Sequence, residues 1–148
     1  MSNTEKRVIY FAYGHNCNIP ELKNRIPKAK RIGVAVAPNQ QLEINHYTNI
    51  VAKDGAKTYG LLWAMDMESL KRLDYYEGDG KDYSHAFIEV LYKGELYKAL
   101  TYVMIKNRSD ISKPPSHKYL KHVYDGYKMN DIPADQLSIA VRNRQNSY

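Results

Sequence analysis

A mixed α+β fold, rich in strands, is what this sequence predicts. Three observations carry the expectation. Short β-branched and aromatic runs, several of them alternating apolar with polar, fill most of the first two thirds of the chain. A capped amphipathic stripe, Met67, Leu70, Leu73, Asp74 and Glu77, interrupts them. A second helical spacing, Tyr119, Leu120, Val123, Tyr124 and Tyr127, lies near the C-terminus. With 148 residues, 43% hydrophobic and 26% charged, the chain has the size and apolar content of one globular domain, so a single domain over residues 1–148 is expected.

In chain order, Val8 to Tyr13 reads as a buried strand stopped by Gly14 and followed by the polar loop His15 to Asn18. Ile19-Pro20-Glu21-Leu22 opens a short helix, with Asn18 as its N-cap and proline in its first turn. From Ala29 to Val51, Ile32, Val34, Val36, Leu42, Ile44 and Ile50 predict several short antiparallel strands. Thr58 to Met65 is more continuously apolar and predicts a separate interior strand. Asp66 caps the helix that follows, which runs to Glu77 and Gly78. His85–Tyr92 and Leu96–Ile105 flank the turn Lys93-Gly94-Glu95 as a hairpin. Residues 106–116 read as a polar, proline-bearing loop, and Ile132-Pro133 lies beyond the last predicted helix.

No apolar run approaches the roughly 20 residues that span a bilayer, and Met1 to Arg7 lacks the features of a secretion signal. A cytoplasmic protein without membrane contact is therefore expected. Cys17 is the only cysteine, which excludes an internal disulfide and a CxxC metal site. His46, His85, His117 and His122 match no metal-ligand spacing, and neither a P-loop nor GxGxxG is present. No metal is predicted, and a nucleotide cofactor lacks support.

The net charge of +6 and the 14 tyrosines against 2 phenylalanines suit RNA binding. The basic residues Lys23, Arg25, Lys28, Lys30 and Arg31 lack an RNP-type or helix-turn-helix frame, however, so no nucleic-acid partner is expected. Such charge suits a solvated face equally well.

Two places have the residue types for chemistry. Glu77 continues the inward stripe of Leu70, Leu73 and Asp74, at the helix end where the dipole disfavours an anion. Burial and dipole would both raise its pKa and make it a general base and then a general acid. The alternative is an acid that snorkels at a frayed helix end. Tyr13-Gly14-His15-Asn16 closes the first strand, where amide N–H groups around a glycine can hold an oxyanion. A plain turn is the alternative there. His15 and Cys17 lack the orienting third group of a thiol nucleophile, so Cys17 is expected to be a small apolar filler.

Taken together, these segments resemble the γ-glutamylcyclotransferase family. Tyr10-Phe11-Ala12-Tyr13-Gly14-His15-Asn16 is similar to the family's first-strand motif, usually written YFAYGSN. Thr58 to Trp63 resembles its central strand. LKRLDYYEG, Leu70 to Gly78, matches the family helix ending in LD, two variable positions and EG. Pro115-Ser116-His117-Lys118-Tyr119, then Gly126 and Ile132-Pro133, matches its C-terminal helix region. The four blocks occur in order between about residues 8 and 137.

The resemblance implies a small mixed β-barrel with flanking helices, acting without metal or organic cofactor on a small γ-glutamyl substrate and releasing 5-oxoproline. It places Glu77 on the acid/base glutamate. It places Tyr10, Phe11, Ala12, Tyr13, Gly14, His15 and Asn16 on the loop that holds the γ-glutamyl group, and Tyr119 on a substrate-contacting tyrosine. His15 departs from the usual serine, which leaves a non-catalytic γ-glutamyl or amino-acid binding module as the alternative. The leaving amine is not specified by these motifs.

Overall fold

The computed structural model describes residues 7–77, 82–105 and 113–146. Its strands are β1 Arg7–Ala12, β2 Lys30–Ile44, β3 Thr48–Asp66, β4 Tyr83–Tyr92 and β5 Glu95–Met104. Its helices are α1 Ile19–Arg25, α2 Met67–Glu77, α3 His117–Met129 and α4 Asp135–Asn146, with a one-turn 3-10 helix at His15–Cys17. The strands close into a barrel in the order β1-β3-β2-β4-β5. Every pairing is antiparallel except that of β1 with β5, which are parallel at Tyr10↔Leu100. The ring is sealed at two narrow seams, this one and Val36↔Leu91 between β2 and β4.

Residues 30–66 do not form the several short strands expected. They form two long ones joined at Asn45-His46-Tyr47. A straight strand of 19 residues would extend about 60 Å, too far for a domain of this size, so the pair must bend. Pro38↔Lys57 and Gln40↔Ala52 are the flanking partners of a break in register, and Lys53 to Ala56 loop out opposite Asn39. There Asn39 takes φ 60° and its side-chain Oδ1 accepts from the Gly55 N–H at 3.0 Å. Pro38-Asn39 and Asp54-Gly55 have turn chemistry, and here it serves a bulge instead of ending the strands.

Other elements follow their local signals. Asn18 caps α1 by accepting from the Glu21 N–H, and Asp66 caps α2 by accepting from the Ser69 N–H at 2.8 Å. Lys93 and Gly94 both take positive φ, 49° and 82°, as a two-residue hairpin turn requires. Gly78 and residues 106–112 of the expected loop lie outside the described residues. Helix α4 is an addition to the sequence expectation. It is fixed by Gln136, whose side-chain amide donates to Tyr59 O and accepts from Tyr59 N–H, both at 2.9 Å. Among the described residues no helix is long and apolar enough to cross a membrane.

The core runs through the barrel, with Phe11, Leu61, Trp63 and Met65 fully buried. Helix α3 adds Val123 and Tyr127, also fully buried, and presses on the loop after β1. Gly126 makes this approach possible. A Cβ added there would stand 2.7 Å from the Asn18 nitrogen and 2.8 Å from the Cys17 carbonyl carbon, both rigid main-chain atoms. Asn130 Nδ2 donates to Cys17 O at 2.8 Å and Tyr127 Oη to Tyr13 O. Trp63 Nε1 donates to Asn16 O at 3.1 Å from the barrel side. The polar loop is thus held between barrel and helix.

Candidate active site

Held in this way, the loop turns Asn16 toward the last residue of α2. Asn16 Nδ2 donates to Glu77 Oε2 at 3.1 Å and to Tyr10 Oη at 2.9 Å. Asn16 itself is buried, and its Oδ1 has no hydrogen-bond partner among the described residues. A buried acceptor left unpaired is costly, and such an atom marks a place where a donor belongs.

Glu77 is aimed inward, with its side chain only 8% exposed. Burial raises its carboxyl from the ordinary 4.5 to about 7, against opposing pulls from the Asn16 hydrogen bond and the Arg25 charge. The end of α2, rich in carbonyl oxygens, acts in the same direction as burial. A carboxyl with this pKa both accepts and returns a proton near neutral pH. The inward reading of the helical stripe therefore holds, and the frayed-end alternative does not.

His15 Nε2 lies 3.7 Å from Glu77 Oε2, but the two do not form an ion pair. Arg25 Nη1 donates to the same ring nitrogen at 3.0 Å, which places the imidazole proton on Nδ1. Burial, with the nearby Arg25 and His122, lowers His15 to about 4. At neutral pH it is an uncharged acceptor.

Two linked cavities surround this cluster. An inner recess of about 20 Å³, the scale of one water, is lined by Tyr10, Tyr13, Gly14, His15, Asn16, Thr48, Glu77, Tyr83, Tyr102 and Tyr119. An outer cleft of about 230 Å³ is lined by His15, Arg25, His46, Tyr47, Tyr76, Glu77, Asp82, Tyr83 and Met104. His15, Glu77 and Tyr83 line both, so the carboxyl stands at the junction.

The recess walls are tyrosines tied down by their hydroxyls. Tyr119 Oη accepts from the Thr48 N–H at 3.0 Å and pairs with Thr48 Oγ1 at 2.8 Å. Tyr83 donates to Thr48 O at 2.8 Å, and Tyr13 to Tyr102 O. Tyr102 donates to Asp74 Oδ1, which also meets His85 Nε2 at 2.6 Å. Burial, their first cause, holds Tyr10, Tyr13, Tyr83, Tyr102 and Tyr119 protonated. They supply hydrogen bonds and not charge.

Seven of the nine residues singled out from sequence meet here: Tyr10, Tyr13, Gly14, His15, Asn16, Glu77 and Tyr119. Phe11 and Ala12 do not line either cavity. Their side chains are buried in the hydrophobic core, while Phe11 O accepts from Thr101 Oγ1 and Ala12 O from Cys17 Sγ. They support the strand that carries their neighbours. Gly14 has φ −122°, so it is needed for space and not for a left-handed backbone. A Cβ there would stand 2.2 Å from Thr48 Oγ1. Cys17 is fully buried and its thiol is pushed up to about 12 by burial, as suits an inert filler.

Sequence reasoning missed Thr48, Tyr83, Tyr102 and the tip residues His46 and Tyr47. They come from strands and a turn without a motif, and the excess of tyrosine was the available signal. The basic residues Lys23, Lys28 and Lys30 line a separate cleft with Arg7, Pro27 and Asp66. Lys23 is occupied there, donating to the carbonyls of Pro27 and Ala29.

Comparison with known proteins supplies the family. A γ-glutamylcyclotransferase of Homo sapiens is 27% identical over 97% of this chain and 82% of its own length. One of Bos taurus is 27% identical over 86% and 73%. A solved γ-glutamyl cyclotransferase structure superposes with a TM-score of 0.80 at 26% identity, covering 90% of this chain and 86% of the other. The AIG2-like family model matches residues 57–138, more than half of the chain and the stretch that carries α2 and α3. The chain belongs to the AIG2-like family.

Proposed function

We propose that this chain is a γ-glutamylcyclotransferase, a single-domain enzyme that releases 5-oxoproline from a γ-glutamyl amino acid or amine. The observation that carries the reading is the inward Glu77, raised to about 7 and joined to a buried asparagine whose Oδ1 lacks a partner among the described residues. The similarity to proteins of that name supports the same reading.

In a γ-glutamyl amide the substrate's own α-amine attacks the side-chain carbonyl. A C–N bond forms within a five-membered ring, and the C–N bond to the leaving amine breaks. Because the nucleophile is already attached, alignment alone can contribute about 7 to 11 kcal/mol in favourable cases. The inert Cys17 is then no obstacle, since no side-chain nucleophile takes part. What the reaction requires is a base for the α-ammonium proton and an acid for the departing nitrogen.

Glu77 fills both roles. Its carboxylate takes the ammonium proton and passes it to the leaving nitrogen at the junction of recess and cleft. Asn16 Oδ1 accepts from the α-ammonium, which completes its hydrogen bonding. Main-chain N–H groups of the Tyr13 to Asn16 loop hold the developing oxyanion. Tyr10 and Tyr119 line the recess beside the α-ammonium with neutral hydroxyls. The lone, unreactive thiol suits a reducing compartment, so the cytoplasm is the proposed site of action.

The test is 5-oxoproline release from a panel of γ-glutamyl amino acids and amines. Wild-type protein should release it, and Glu77→Gln should lower kcat by at least about a thousandfold while circular dichroism is retained. Binding without turnover across the panel would instead favour a binding module.

A further inference from the structure

Arg25 occupies a position that the reaction chemistry leaves unused. It ends α1 and, among the described residues, is the one lysine or arginine on the wall of the outer cleft. Three contacts fix its guanidinium. Nη1 donates to His15 Nε2 at 3.0 Å, Nη2 donates to Glu21 Oε1 at 3.0 Å, and the group lies 5.2 Å from the Tyr76 ring centroid. These hydrogen bonds use two of the five N–H donors of an arginine, and the side chain remains 26% exposed.

Its location relative to Glu77 matters. If Asn16 and Glu77 hold the α-ammonium of the γ-glutamyl group at the mouth of the recess, the cleaved bond lies at the junction and the leaving group extends into the cleft. Steps of 3.7 Å and 3.0 Å lead from Glu77 Oε2 through His15 Nε2 to the guanidinium. A leaving nitrogen hydrogen-bonded to Glu77 carries its carboxylate oxygens about 3 Å further on, and a second hydrogen bond of about 3 Å then reaches a guanidinium within that span. Tyr76, Tyr83 and Met104 offer that leaving group an aromatic and apolar wall. Asp82, on the same cleft, has an interaction of its own.

We infer that Arg25 is the specificity-determining residue for the leaving group, selecting amines that bear an adjacent carboxylate over uncharged amines. His15 is its positioning residue. A serine at this place, usual in the resembling motif, has a shorter side chain than the imidazole that now meets Arg25. The neutral, Nδ1-protonated ring instead presents an acceptor that fixes one edge of the guanidinium. The inference rests on the cyclotransferase reading.

The test uses the full chain and two substrates, γ-glutamyl-alanine and γ-glutamyl-alaninamide, which differ in one carboxylate replaced by a neutral carboxamide. The readout is the ratio of their kcat/KM values for 5-oxoproline release. A charge-assisted contact at a partly exposed site should give wild-type protein a ratio of about ten or more. Arg25→Met should bring the ratio close to one, chiefly by raising KM for the acid, and Arg25→Lys should leave it intermediate. His15→Ser should lower the ratio, and His15→Gln, which keeps an acceptor, should restore part of it. Because the ratio is internal to each preparation, a partly unfolded variant does not move it. A wild-type ratio near one, or a ratio unchanged in Arg25→Met, overturns the assignment. Release from neither substrate by wild-type protein would instead overturn the cyclotransferase reading beneath it.

Discussion

Glu77→Gln should do more than stop turnover: it should stabilise the fold, and by an amount that depends on pH. Burial raises the carboxyl from 4.5 to about 7, so the folded state binds this proton more tightly than the unfolded chain does. The sign follows directly. Stability is highest below 4.5, declines as pH rises because the unfolded chain ionises first, and levels off above about 7. At about 1.4 kcal/mol per pH unit, the accumulated cost is about 3 kcal/mol at pH 8 and about 1 kcal/mol at pH 5. Glutamine does not ionise and keeps an acceptor for Asn16 Nδ2, so the variant escapes that cost. Thermal unfolding of both proteins at the two pH values measures the difference. For a chain of this length, about 3 kcal/mol corresponds to a Tm gain of about 6 to 12 °C at pH 8, with a much smaller gain at pH 5. An equal Tm difference at both pH values, or a loss at pH 8, would refute the claim that Glu77 ionises inside the protein at a cost.

Four other outcomes follow from the same geometry. The pH profile of kcat/KM should fall about tenfold per unit below about 7 as Glu77 becomes protonated; in Arg25→Met, which removes a charge that lowers this carboxyl, the limb should move to higher pH. Gly14→Ala should lose turnover and cost about 1 to 3 kcal/mol because its methyl meets Thr48 Oγ1, and Thr48→Ala in the same chain should recover part of the stability in urea unfolding. Gly126→Ala should cost at least as much, with no single side-chain rescue, since its added Cβ meets main-chain atoms. Cys17 in the native protein should resist thiol reagents at pH 8 and react promptly once the chain is unfolded.

Legibility in the sequence followed the range of the interaction. Local signals read correctly: Asn18 and Asp66 at helix starts, the Lys93-Gly94-Glu95 turn between paired strands, of which Glu95 already begins β5, and the stripe that carries Glu77 inward. Each depends on residues within a few positions of one another. The long β2 and β3 strands were broken into pieces because Pro38-Asn39 and Asp54-Gly55 have the residues of turns, and only their pairing across the sheet makes them a bulge. Helix α4 escaped notice because its apolar stripe is sparse, Leu137 and Ala140 being its buried residues, and its anchor is the long-range bond from Gln136 to Tyr59. The site divided in the same way. Glu77 and the Tyr10 to Asn16 segment stand in compact motifs, whereas Thr48, Tyr83, Tyr102 and Arg25 join them only through closure of the barrel. Phe11 and Ala12 belong to the motif and yet pack in the core: strand alternation turns Phe11 to the side opposite Tyr10, whereas the short Ala12 shares the side of Tyr10 and lines neither cavity.

The grip of α3 on the loop after β1 also sets an order of events. Tyr13 and Tyr127, and Cys17 and Asn130, are joined across 114 and 113 residues. Contacts of such separation carry a loop-closure cost that nearer contacts avoid. During synthesis the first strand and its loop emerge long before the helix that fixes them. A nascent chain halted before residue 117 would therefore have Glu77 and Asn16 without the scaffold that brings them together. Assembly of the candidate site is thereby timed to the emergence of α3.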